Sequence, residues 1–114
     1  MTFLIVEDNS EMRRLIRCAV TRENDMVYEC SDGSDALASY IQHDPDWVLM
    51  DIKMPQLDGI YATRQIKEAF PEARIVVVSH YDDPEMRAGA RRAGAADYVL
   101  KDNLLAIRRI IGRP

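Results

Sequence analysis

Cysteine and histidine are scarce in this 114-residue chain, with two of each. Cys18 and Cys30 show neither a C-x-x-C pair nor any other metal-ligand spacing, and each lies in an apolar segment, so two buried, reduced thiols are expected in place of a disulfide or a zinc site. Long apolar runs are missing too, and nothing approaches the roughly 18 residues of a membrane span. No basic leader with a small-residue cleavage site precedes the first apolar stretch, so a cytoplasmic chain without membrane contact is expected. Basic charge is not in surplus: the net charge is −4, which argues against direct nucleic-acid binding. Repeats, low-complexity tracts and internal linkers are absent, and 1–114 has the length of a single domain with one core.

What is present is an alternation of strand and helix signals. Thr2–Val6, Met26–Cys30, Trp47–Asp51, Ile75–Val78 and Asp97–Leu100 read as strands. Ile75–Val78 is the most β-branched of them and is expected to be central and buried on both faces. Between the strands, Asn9 or Ser10 caps a helix running to about Glu23, with Met12, Leu15, Ile16, Ala19 and Val20 as its apolar stripe. A short helix carries Ala36, Leu37, Tyr40 and Ile41. A third opens at Leu57-Asp58-Gly59 with Ile60, Ile66 and Ala69 inward, and ends at Pro71. Asp83-Pro84 starts a fourth, which Gly89 weakens and Gly94 stops; Asp102 or Asn103 caps a last helix containing Leu104, Ile107, Ile110 and Ile111. Five strands joined by helical crossovers imply a parallel α/β sheet covered on both faces, with ligands bound beyond the carboxyl ends of its strands.

The residues at those ends are Glu7 and Asp8, then Asp51, Ser79 and Lys101. Carboxylates do not gather for stability: at about 4 Å and an effective dielectric of about 20, each like-charge pair costs on the order of 4 kcal/mol. A cation is therefore expected among them. Hard oxygen donors with little nitrogen or sulfur nearby suit Mg²⁺, which takes one or two carboxylates and phosphate oxygens. Asp51 is then placed to act as a nucleophile toward a phosphoryl group, with Ser79 and Lys101 binding its remaining oxygens.

Glu7-Asp8, Asp51 with Met54-Pro55 and Asp58-Gly59, Ser79, and Ala93-Gly94-Ala95 through Tyr98 to Lys101 closely resemble the receiver domain of two-component response regulators. The resemblance covers nearly the whole chain. It implies the CheY-like (flavodoxin-like) doubly wound fold, strand order 2-1-3-4-5. It also implies that Asp51 is the phosphoacceptor served by a sensor histidine kinase, that Glu7, Asp8, Asp51 and the Lys53 backbone carbonyl bind Mg²⁺, and that Ser79 and Tyr98 are the paired switch positions.

Two departures shape the expectation. Asp102 follows Lys101 where most receivers have proline, which resembles the NarL/LuxR-type class, whose receivers usually precede a helix-turn-helix DNA-binding domain. The chain ends soon after or within its last helix, so a receiver cut from a transcription regulator is expected, with a free-standing receiver as the alternative. His80 stands where receivers commonly have a small residue; it is either an outward loop side chain or a narrowing of phosphodonor access. Lys53 and Tyr81 occupy positions that in receivers flank the path of attacking water, and are expected to slow dephosphorylation.

Output is expected from the fourth helix, fifth strand and fifth helix. There Arg87, Arg91, Arg92, Arg108 and Arg109 lie near Glu85, Asp97 and Asp102, a pattern suited to a phosphorylation-dependent homodimer. A haloacid-dehalogenase-type phosphatase would need an acid where Lys53 stands. A flavodoxin-type cofactor protein would need a Gly/Ser/Thr-rich loop where Glu7-Asp8-Asn9-Ser10 stands. The expected protein is thus a switch that assists its own phosphorylation and dephosphorylation, not an enzyme acting on a separate substrate.

Overall fold

Strands β1 (Thr2–Val6), β2 (Met26–Cys30), β3 (Trp47–Asp51), β4 (Ile75–Ser79) and β5 (Asp97–Leu100) alternate with helices α1 (Ser10–Val20), α2 (Ala36–His43), α3 (Gly59–Ala69), α4 (Pro84–Ala93) and α5 (Ala106–Ile110) in a computed structural model that describes residues 1–113. All strand pairings are parallel, in the order β2-β1-β3-β4-β5, which is the doubly wound arrangement expected. The middle place belongs to β3; β4 lies between it and β5, and both are buried throughout.

Alternate residues of the inner strands feed opposite faces of the sheet, as period-two side chains must. Phe3, Ile5, Leu49, Val76 and Val78 pack against Ile16 and Val20 of α1 and Ile107 of α5. Leu4, Val6, Val48, Met50 and Ile75 pack against Ala36 and Tyr40 of α2 and Ala62 and Ile66 of α3. A third cluster, Ile52, Val77, Ala90 and Tyr98, seats α4 beside β5.

Several expected boundaries and burials differ. Helix α1 ends at Val20 and not near Glu23, because Thr21 turns extended and both its amide and its hydroxyl satisfy the Arg17 carbonyl. Only Ile16 and Val20 of the α1 stripe are fully buried; Leu15 is 55% exposed, and Cys18 is exposed while Cys30 is buried. On α2 Ile41 faces outward, and on α3 Ala69 is exposed while Thr63 is buried. Neither Asp102 nor Asn103 caps the last helix: Lys101–Asn103 form a single 3-10 turn, and α5 starts at Ala106. The caps at Asn9 and Asp83 form as expected, Asp58 caps α3 in the same way, each side chain accepting from a first-turn amide, and Gly94 closes α4 at φ 105°.

Candidate functional site

The carboxyl ends of β1 and β3 bring three acids together. One oxygen from each of Glu7, Asp8 and Asp51 lies within 4.8 Å of the others. Glu7 and Asp51 are buried and Asp8 faces solvent. Lys101, at the end of β5, reaches across β4 and places its ammonium 2.7 Å from Glu7 Oε1 and 3.0 Å from Asp51 Oδ1. Burial alone would weaken that ammonium's hold on its proton, but the contacts with Glu7 and Asp51 outweigh it and raise its pKa. At Asp8 the balance runs the other way for a carboxyl: partial burial, then the hydrogen bond and charge of Glu7, push its pKa above the usual value. One ammonium thus leaves this cluster short of positive charge.

The local backbone dictates where each acid points. Glu7 Oε2 accepts from the Asn9 amide at 3.1 Å, and Asp51 Oδ1 accepts from the Ile52 amide at 2.9 Å. Behind the cluster, Arg13 of α1 donates to the carbonyl of Glu7 at 2.7 Å and to that of Asp8 at 3.4 Å, while its Nε holds Glu29 of β2 at 3.0 Å. Gly59 permits the return of the chain: its amide donates to Ile52 O at 2.8 Å, and a Cβ there would stand 1.7 Å from the Asp51 carbonyl oxygen. Beside the acids opens a cleft whose walls include Met12, Leu15, Lys53, His80 and Tyr81.

Ser79 ends β4 one position beyond Val78, the register partner of Asp51, and is buried. Its Oγ accepts from the Tyr81 amide at 3.0 Å and it does not line the cleft. Tyr98 is buried too, with its hydroxyl donating to the Tyr81 carbonyl at 2.6 Å. The backbone of Tyr81 therefore joins both expected switch positions, whereas only its side chain drew notice in the sequence. Arg87 covers the Tyr98 ring at 4.7 Å and pairs with Asp82 at 2.8 Å. Lys53 stands over the Tyr81 ring at 5.9 Å. Sequence reasoning also missed Arg13, which ties the carbonyls just before its own helix to Glu29 of β2, and Asp32, whose carboxylate accepts from backbone amides 24 and 25 residues away.

The donor set fits a hard divalent cation: three carboxylates converge, their repulsion is incompletely relieved, and no thiol or imidazole is among them. Residues 3–111 match the response regulator receiver domain family. The chain belongs to that family. This receiver is 38% identical over 99 residues to the chemotaxis protein CheY of Bacillus subtilis, covering 86% of the chain and 82% of that protein. It is 34% identical over 118 residues to the oxygen regulatory protein NreC of Staphylococcus haemolyticus, covering 96% of the chain but 54% of the relative. The receiver thus spans about half the length of that regulator. A LuxR-family two-component response regulator from an Aurantimonas species superposes with a TM-score of 0.85 at 31% identity, over 98% of this chain and 86% of that one. The receiver is a signalling switch of a two-component system, a class that interacts with histidine kinases, and LuxR-type regulators are among its relatives. No helix among the described residues is long and apolar enough to cross a membrane.

Proposed function

We propose that this receiver accepts a phosphoryl group on Asp51 from the phosphohistidine of a sensor kinase, with Mg²⁺ held by Glu7, Asp8, Asp51 and the Lys53 backbone carbonyl. The observation that carries the reading is the position of the Lys101 ammonium, in contact with both Glu7 and Asp51 at the mouth of the acid cluster. An Asp51 carboxylate oxygen attacks phosphorus; the P–N bond to the donor imidazole breaks as the new P–O bond forms, and the released imidazole nitrogen takes a proton. Lys101 turns from the bare carboxylate to the phosphoryl oxygens, and the Ser79 hydroxyl leaves the Tyr81 amide to donate to them. Bound Mg²⁺ supplies charge neutralisation for the incoming phosphoryl group. His80 narrows the approach of the donor, and Lys53 with Tyr81 slows the water that hydrolyses the product.

The release of Ser79 from Tyr81 loosens the backbone that Tyr98 also grips, and so biases α4, β5 and α5. On that face Arg91, Arg92 and Arg109 stand exposed beside Glu85, Asp97 and Asp102, and would pair across a phosphorylation-dependent homodimer. Arg108 and Arg87 drop out of the expected set, since Arg108 donates to the Ala19 carbonyl at 2.7 Å and Arg87 is held by Asp82. The output is transcription control in the cytoplasm through a helix-turn-helix domain outside 1–114, with no nucleic-acid contact by the receiver itself. Similarity to a chemotaxis CheY favours a second reading, a free-standing receiver acting by protein contact.

Acetyl phosphate with Mg²⁺ should add one phosphoryl group, about 80 Da, to the intact protein. EDTA or Asp51→Asn should abolish the gain. Retained labelling of the Asp51→Asn protein would sink the assignment.

A further inference from the structure

The segment 52–58 joins β3 to α3 and carries Lys53, whose backbone carbonyl belongs to the proposed cation site. It is bound at two places. At its neck the Gly59 amide donates to Ile52 O. At its tip the carboxylate of Asp32, from the turn after β2, accepts from the Gln56 amide at 2.9 Å and the Leu57 amide at 3.2 Å. A third donor, the Ser34 amide at 2.8 Å, completes the set, and Asp32 is 7% exposed. The Gln56, Ser34 and Leu57 bonds hold the Asp32 carboxyl below the usual carboxylate range. Gly33 lets the two turns touch, since a Cβ there would stand 2.3 Å from the Leu57 carbonyl oxygen.

The turn after β2 needs only the Ser34 bond to cap its own first residues. The bonds to Gln56 and Leu57 span 24 and 25 residues and do nothing for α2. They satisfy the tip of a loop that has no ladder partner of its own, and so restrict the φ/ψ freedom of Lys53 to Leu57 from outside the acid cluster. We infer that Asp32 is a positioning residue, which fixes the tip of segment 52–58 and thereby presents the Lys53 carbonyl to the divalent cation. The inference rests on the proposed function above. A loop free at its tip samples many orientations of that carbonyl, and the cation must then pay the entropy of ordering it.

The test compares the parent protein with Asp32→Ala and Asp32→Asn by Mg²⁺ calorimetry, by amide hydrogen exchange in EDTA, and by acetyl phosphate labelling at saturating Mg²⁺. Asp32→Ala should raise the Mg²⁺ Kd about tenfold, the scale on which a partner outside the ligand shell acts. It should speed exchange at Gln56 and Leu57 but not at Val77, and leave labelling intact once Mg²⁺ saturates. Asp32→Asn, which keeps a single acceptor oxygen, should fall between, and decides the matter if the alanine variant does not fold. Faster exchange at Gln56 and Leu57 with an unchanged Kd overturns the inference alone, because the clamp would then be structural only. Unchanged exchange overturns it as well. A parent with no saturable Mg²⁺ binding overturns the proposed function, and this inference with it.

Discussion

Lys101 is the only cation paired with the Glu7 and Asp51 carboxylates among the described residues, and its side chain is 6% exposed. Removing one member of a buried ion pair leaves its partner uncompensated, at about 3–5 kcal/mol. Lys101→Met should therefore lower unfolding stability in EDTA by about 3 kcal/mol, and Mg²⁺ should return more of the loss to the variant than it adds to the parent. Denaturant titrations with and without Mg²⁺ measure this, and equal Mg²⁺ gains would count against a shared cation role. Tyr98→Phe keeps the buried ring but loses the bond to the Tyr81 carbonyl, so it should cost about 1 kcal/mol in the same assay. The acids and Lys101 were legible in the sequence because each ends an apolar run, and strand ends share one edge in a parallel sheet. Asp32 and Arg13 were not: each looks like an ordinary turn or helix-surface charge until the fold delivers the carbonyls or amides it binds.

Among the elements, α4 buries little apolar bulk. Its buried residues are Ala90 and Ala93, with Met86 half-buried, and Gly89 interrupts its interior. A Cβ on Gly89 would meet only Ile60 Cδ1, at an ordinary 3.5 Å. Gly89→Ala should thus stabilise the chain by about 0.5–1 kcal/mol, read as a higher Tm, through helix propensity and a less flexible unfolded chain. Gly59→Ala has the opposite sign. Its Cβ would overlap the Asp51 carbonyl, forcing the loop apart at a cost of 1–3 kcal/mol or more. Helix ends and faces were less legible than helix existence. The α1 pattern reads as a broad stripe, yet only Ile16 and Val20 are fully covered, Met12 and Ala19 are half-buried, and Leu15 and Cys18 stand in solvent. Leu104 seemed to belong to a continuous last helix, but the chain spends Lys101–Asn103 in a tight turn that keeps the ammonium over the acids.

At the scale of the molecule, the amino-end edge of the sheet, opposite the acid cluster, is closed by a second charged group. Asp25 accepts from both terminal nitrogens of Arg113, one at 2.6 Å, from the Arg22 amide at 2.7 Å and from the Met1 ammonium at 3.1 Å. The Arg113 bonds, against an opposing effect of burial and with help from Arg22 and Met1, hold the Asp25 carboxyl well below the usual carboxylate range. The folded protein therefore binds this proton less readily than the unfolded chain does. Its contribution is complete above the unfolded carboxylate value of about 3.9 and fades as pH falls through the lower folded value. Asp25→Asn should then cost about 2 kcal/mol across pH 5 to 8, the scale of hydrogen bonds to charged groups, with the difference shrinking below about pH 4. Urea titrations of parent and variant at pH 7, 5 and 3 read that difference directly. A gap that persists undiminished at pH 3 would mean that Asp25 acts through its shape and not its charge. In that case Arg113 would reach the edge of β1 by stacking on Phe3, from which it lies 5.4 Å away, and not by the ion pair.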